Sequence, residues 1–170
     1  MQRRVLANMA KHLLQYGPKV IAKPLNFVPF YIKAQLIERI LNLLMAEQVK
    51  DGELDFLQAR WVKITVTDLE LSFEVSFDER LIVRESGEAE VSFSGCSQAL
   101  LLIAAGKEDP DTLFFQRRLA IEGDTELGLE VKNLLLSIEF DTMPVFMRQS
   151  ITQAAAMLTQ LQRQANMPWA

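Results

Sequence analysis

Apolar and polar positions alternate with a period of two from Val62 to Phe77. Val62, Ile64 and Val66 stand against Lys63 and Thr65, then Leu69, Leu71, Phe73, Val75 and Phe77 against Glu70, Ser72, Glu74 and Ser76. This pattern predicts two antiparallel strands with one buried and one wetted face. Asp78-Glu79 turns the chain into a third strand at 81–83, Gly87 marks another turn, and Ala89, Val91 and Phe93 predict a fourth. A fifth is expected at 119–122, where Gly123 permits a tight turn and Asp124 caps a following helix.

Elsewhere the period becomes helical. A helix over 31–49 presents Ile32, Leu36, Ile37, Ile40, Leu43 and Leu44 on a wide face opposed by Gln35, Glu38, Arg39 and Asn42, and Asp51-Gly52 ends it. A short apolar helix is expected at 97–105, a helical turn at 109–116, and a helix at 124–140 with Leu127, Val131, Leu134, Leu135 and Ile138 on one side. Pro144 can open a last helix carrying Phe146, Met147, Ile151, Ala154, Met157, Leu158 and Leu161 on one face. Residues 3–16 form a basic amphipathic pattern, with Val5, Leu6, Met9, Leu13 and Tyr16 opposite Arg4, Asn8, Lys11, His12 and Gln15. Pro18, Pro24 and Pro29 then break helical continuity through an apolar connector.

A sheet with one apolar face must cover it with helices, so the fold class is α+β: a five-stranded, mainly antiparallel sheet under helices, with extra N- and C-terminal helices. The chain divides into a basic arm and connector (1–30), a body (31–141) and a C-terminal amphipathic helix (142–170). A filled core and a ligand cavity give the same periodicity.

Charge changes this picture. The net charge is only -4, yet residues 1–37 hold six Lys or Arg and no acid, and residues 142–170 hold two and no acid, leaving the centre at -12. Such ends suit an anionic surface, where each basic residue contributes about 1 kcal/mol near an anionic leaflet. Arg3, Arg4, Lys11, Lys19 and Lys23 are the candidate membrane contacts. A strongly acidic body with few interleaved aromatics in the arm argues against nucleic acid. The longest uninterrupted apolar run, 99–105, is far short of a membrane span, and Lys11, His12, Gly17 and Pro18 interrupt a signal-peptide pattern. The chain is therefore expected in the cytoplasm.

Catalytic groups are scarce. His12 is the only histidine and Cys96 the only cysteine, which leaves no nitrogen and sulfur metal set and no disulfide, and Cys96 is expected to be buried and inert. Residues 123–128 lack the lysine of a phosphate loop, and the acidic pairs Glu88 and Glu90, or Glu108 and Asp109, read as solvated edges. No catalytic residue, metal or cofactor is expected.

The stretch RRLAIEGDTELGLEVKNLLL resembles the sterol carrier protein type 2 family, whose last strand and helix read as a basic residue, an apolar residue, a spacer and Gly-Asp; Arg118, Leu119, Gly123 and Asp124 occupy those positions. The run DPDTLFFQRRLAIEGDTELGLEVKNL and the block DGELDFLQARW are similar to the bacterial ubiquinone-biosynthesis accessory factors of that family. Arg117 stands where the broader family commonly has glycine. The likeness covers residues 30–141.

The resemblance implies a lipid cavity between sheet and helices. Its expected lining is Leu36, Ile40, Leu43 and Leu44, Leu102 and Ile103, Phe114 and Phe115, Leu127, Val131, Leu134 and Leu135, closed by Phe146, Met147 and Ile151. It further implies a non-enzymatic accessory factor of oxygen-independent ubiquinone biosynthesis, holding isoprenoid quinone precursors or phospholipid at the inner membrane. The hydroxylating proteins UbiU and UbiV are the implied partners, and a homo-oligomer is a further expectation. A general phospholipid or sterol carrier and a membrane-associated scaffold are the alternatives.

Overall fold

A computed structural model describes residues 27–104 and 106–138, together with the single positions 145, 149 and 153. The N-terminal amphipathic helix, most of the connector and the C-terminal helix lie outside the described residues. So do Arg3, Arg4, Lys11, Lys19, Lys23, Phe146, Met147 and Ile151.

Five strands form one sheet: β1 (Val62–Val66), β2 (Leu71–Asp78), β3 (Arg80–Arg84), β4 (Val91–Gly95) and β5 (Leu119–Gly123). Their order is β3-β2-β1-β4-β5, antiparallel throughout except for the central parallel pair β1 and β4. The α+β, mainly antiparallel expectation is met. Register aligns the apolar positions across the sheet: Val62 opposes Val75 and Val91, and Ile64 opposes Phe73 and Phe93. Because side chains alternate along a strand, this register puts all of them on one face.

Helices cover that face: α1 (Phe30–Leu44), α2 (Ala46–Lys50), α3 (Ser97–Ala104), α4 (Pro110–Phe115) and α5 (Thr125–Ser137). The first turns of α3, α4 and α5 are each held by an aspartate side chain. Asp68 accepts from Ser97 N and Ser97 Oγ, both at 2.7 Å, while Asp109 accepts from Asp111 N and Asp124 from Leu127 N, again at 2.7 Å. Gly123, at φ +113°, is required twice over, since a Cβ there would also collide with the Glu90 carbonyl.

Three expectations are corrected. The helix expected over 31–49 breaks at buried Met45, whose φ of -108° and ψ of 22° divide α1 from α2. The second strand starts at Leu71, because Glu70 adopts a left-handed φ of 51° after the 3-10 turn Thr67–Leu69 and reverses the chain there. Finally, the polar face of β2 is dry: Glu74 is 1% exposed and Ser76 2%. Residues 55–61 and the 84–90 loop cover it, with Ser76 Oγ donating to the Leu57 carbonyl at 3.1 Å.

Glu74 is satisfied by Arg84 Nε at 2.7 Å and by Gly87 N at 3.0 Å, and the Arg84 guanidinium lies 3.6 Å from the Trp61 ring centroid. A buried carboxylate is tolerable only when paired and hydrogen-bonded in this way. Next to Trp61 in the chain, Arg60 gathers Glu90 at 2.9 Å, Asp124 at 3.6 Å and Glu130 at 3.7 Å. The hydrogen bond to Glu90 raises the Arg60 pKa above its ordinary value, and the cluster ties the loop before β1 to the start of α5.

Candidate lipid cavity

Between sheet and helices lies a cavity of about 250 Å³. Its floor is the apolar sheet face: Val62, Ile64 and Val66 of β1, Phe73 and Val75 of β2, Leu81, Phe93 and Leu119. Its walls are Leu41, Leu44 and Met45 at the end of α1, Leu57, then Leu100, Ile103 and Ala104 of α3, and Val131, Leu134, Leu135 and Ile138 at the end of α5. Every lining residue is aliphatic, aromatic or methionine. Among the described residues, no titratable or hydrogen-bonding side chain reaches it.

Such a space suits an apolar guest. A wholly apolar cavity stays dry and accepts apolar guests; one of about 150 Å³ holds benzene. In proportion, this one takes on the order of ten carbon atoms, or two isoprene units. Each buried methylene is worth about 0.8 kcal/mol, so ten would supply roughly 8 kcal/mol before the cost of association.

Of the residues expected to line a cavity, Leu44, Ile103, Val131, Leu134 and Leu135 meet here. Leu102 and Leu127 are buried but lie outside the lining. Leu36, at 59% exposure, with Ile40 and Leu43, points away from the sheet, and Phe114 and Phe115 are exposed as well, Phe115 at 80%. The reason on α1 is its rotation about its own axis. Glu38 and Asn42, read from the wheel as the wetted side, turn to β3: Asn42 bonds both the N–H and the carbonyl of Leu81, and Glu38 accepts from Val83 N. That turns Leu41 and Leu44 inward and Ile32, Leu36, Ile40 and Leu43 outward.

Sequence reasoning missed the whole floor of the cavity, although its signal was the strand alternation itself. It also missed Leu41, Leu57 and Leu100. Cys96 is half-buried against the core, where full burial was expected. Among the described residues no cluster of His, Cys, Asp or Glu is arranged to hold a metal, and no helix is long and apolar enough to cross a membrane.

A mixed five-stranded sheet whose apolar face is roofed by helices, with an oily space between, defines a sterol-carrier type of domain. The SCP-2 sterol transfer family matches residues 37–136, and the chain belongs to it. The ubiquinone biosynthesis accessory factor UbiT of Escherichia coli K12 is 44% identical over 152 residues, covering 89% of this chain and 87% of UbiT. UbiT of Escherichia coli O157:H7 matches to the same extent. Among solved structures, the UbiJ-SCP2 ubiquinone synthesis protein superposes with a TM-score of 0.53 at 19% identity, covering 65% of this chain and all of that one. That likeness shows the fold.

Proposed function

We propose that this protein is a non-enzymatic lipid-binding accessory factor of oxygen-independent ubiquinone biosynthesis, as its similarity to UbiT suggests. The observation that carries the reading is the wholly apolar cavity within a chain of UbiT-like sequence. It would bind the isoprenoid tail of a quinone precursor and leave the aromatic head accessible to the hydroxylating partners UbiU and UbiV. A tail longer than about two isoprene units exceeds the space, so loading requires the helical roof to move or the remainder to stay outside.

Membrane association fits two features. The arm supplies Arg3, Arg4, Lys11, Lys19 and Lys23, and α1 turns Ile32, Leu36, Ile40 and Leu43 outward as an apolar stripe that a bilayer interface could take up. We place the protein peripherally on the cytoplasmic side of the inner membrane, with residues 31–141 as the lipid-binding body between arm and C-terminal helix. Native mass spectrometry of protein purified from cells grown without oxygen tests this. Bound polyprenyl aromatics support the proposal.

Bound phospholipid alone would favour a second reading, a general lipid carrier. One observation supports that reading: the cavity carries no polar group to recognise a particular head.

A further inference from the structure

The large apolar side chains left exposed are confined to one side of the molecule. Among the described residues they sit on three helices: the α1 stripe with Tyr31, Phe114 and Phe115 on α4, and Leu129 and Leu136 on α5. Phe27 and Val145 are the others, and no strand carries one. Leu129 and Leu136 are two helical turns apart, on the side of α5 opposite buried Leu127 and Val131. The place of α4 follows from Ile121, which opposes cavity-lining Phe93 and so shares its face of the sheet. Phe114 joins Ile121 and Leu129 in lining a groove of about 230 Å³ on that face, and Phe115 stands beyond it, its ring edge-on to Phe114.

Charge separates the two sides as well. On α1 Lys33 and Arg39 flank the stripe, while the one acid of that helix, Glu38, is turned to β3. Arg117, exposed and with no ion-pair partner among the described residues, follows Phe115 by two positions. Asp111 of α4 is neutralised by Lys132 at 3.0 Å, which leaves Glu126 as the exposed acid on the outer side of α5. The far side of the sheet is the reverse: exposed Asp55, Asp78, Glu85 and Glu122 outnumber Lys63 and Arg80. An anionic surface attracts the helical side and repels the other.

We propose that the whole helical side, and not α1 alone, docks on an anionic bilayer, with Phe114 and Phe115 as a second point of insertion and the cavity mouth facing the lipid. Docking of this kind presupposes the membrane association proposed above. The mouth lies on the same side: cavity residues Leu41, Leu44, Leu100, Leu135 and Ile138 are only half-buried. So is Ile64 on the central strand, although Phe73 and Phe93 beside it are buried. Apolar surface is therefore continuous from the cavity through this rim to exposed Leu43 and Leu136, the sequence neighbours of Leu44 and Leu135. Two insertion points also fix an orientation that one helix does not, because α1 borders β3 and α4 leads into β5, the opposite edges of the sheet. Seated in this way, the cavity exchanges a tail with the bilayer without passing it through water.

The test places an environment-sensitive nitrobenzoxadiazole label at single cysteines in the full chain, with Cys96→Ser as background. Leu36→Cys reports on α1, Phe115→Cys on α4 and Ala120→Cys on the far side of the sheet, all three at exposed positions. On addition of vesicles of phosphatidylcholine and phosphatidylglycerol, the labels at 36 and 115 should brighten roughly twofold or more and shift to the blue, with the label at 120 unchanged. A label at 115 that stays as in water while 36 responds overturns the second insertion point and leaves membrane association standing. A label at 115 already dry without vesicles, or one at 120 that responds as strongly, overturns it equally. Labels that all stay silent, on chains that fail to float with vesicles, overturn the docking face and the membrane association together. Phe114→Ser with Phe115→Ser should weaken vesicle binding several-fold, and unchanged binding contradicts insertion at α4.

Discussion

Asn42 and Leu81 exchange two hydrogen bonds: the side-chain amide donates to the Leu81 carbonyl at 2.9 Å, and its oxygen accepts from Leu81 N at 2.9 Å. One helix side chain thus does what a neighbouring strand would do. With Glu38 accepting from Val83 N at 2.9 Å, it closes the edge of β3 and fixes which side of α1 faces the sheet.

Asn42→Ala should therefore destabilise the protein by about 1–3 kcal/mol, the cost of two hydrogen bonds at a half-buried site. Urea unfolding would show a lower midpoint with little change in slope. Asn42→Leu, which keeps volume but not the bonds, should not rescue it.

How the sequence failed at α1 is instructive. Eight of its fifteen residues are Ile, Leu or Phe, spread over more than half of the circumference, so a helical wheel cannot choose the inward side. Glu38 and Asn42 decide it, because unpaired edge N–H and carbonyl groups need partners that only polar side chains supply. The strands were legible because period-two alternation permits one register for a buried face. The cap at Asp124 was legible for a similar reason: a local hydrogen bond needs only local residues. The cavity was not, since an empty space and a filled one put the same residues inside.

Glu74 gives a second prediction. Its removal in Glu74→Ala strands Arg84 over Trp61 and leaves Gly87 N without its acceptor. A loss of about 2–4 kcal/mol is expected, somewhat below that of a fully buried pair because Arg84 is partly exposed. Thermal unfolding with and without 1 M salt checks it; the loss should persist in salt, as befits a group shielded from ions.

Arg117 adopts a φ of 58°, in the left-handed region that favours glycine. A side chain there carries about 1–2 kcal/mol of strain, partly offset in glycine by its greater unfolded-state freedom. Arg117→Gly should then be neutral to stabilising by up to about 1 kcal/mol. Arg117→Val, branched at Cβ, should cost about 1–2 kcal/mol. Paired urea melts separate the two.

Vesicle flotation tests the membrane proposal. Replacing Arg3, Arg4, Lys11, Lys19 and Lys23 with Gln should release the protein from anionic vesicles, and Leu36→Ser with Ile40→Ser should weaken the remaining attachment with no loss of fold, since both side chains are already exposed.

The most direct measurement is the lipid content per chain of purified wild type against Val131→Phe, a substitution that fills the cavity from α5 at a cost of about 1–3 kcal/mol. Extraction and mass spectrometry should find close to one tailed lipid per wild-type chain and several-fold less in the folded variant. Equal lipid in both, or none in the wild type even after incubation with polyprenyl phenols, would contradict a carrier built on this cavity.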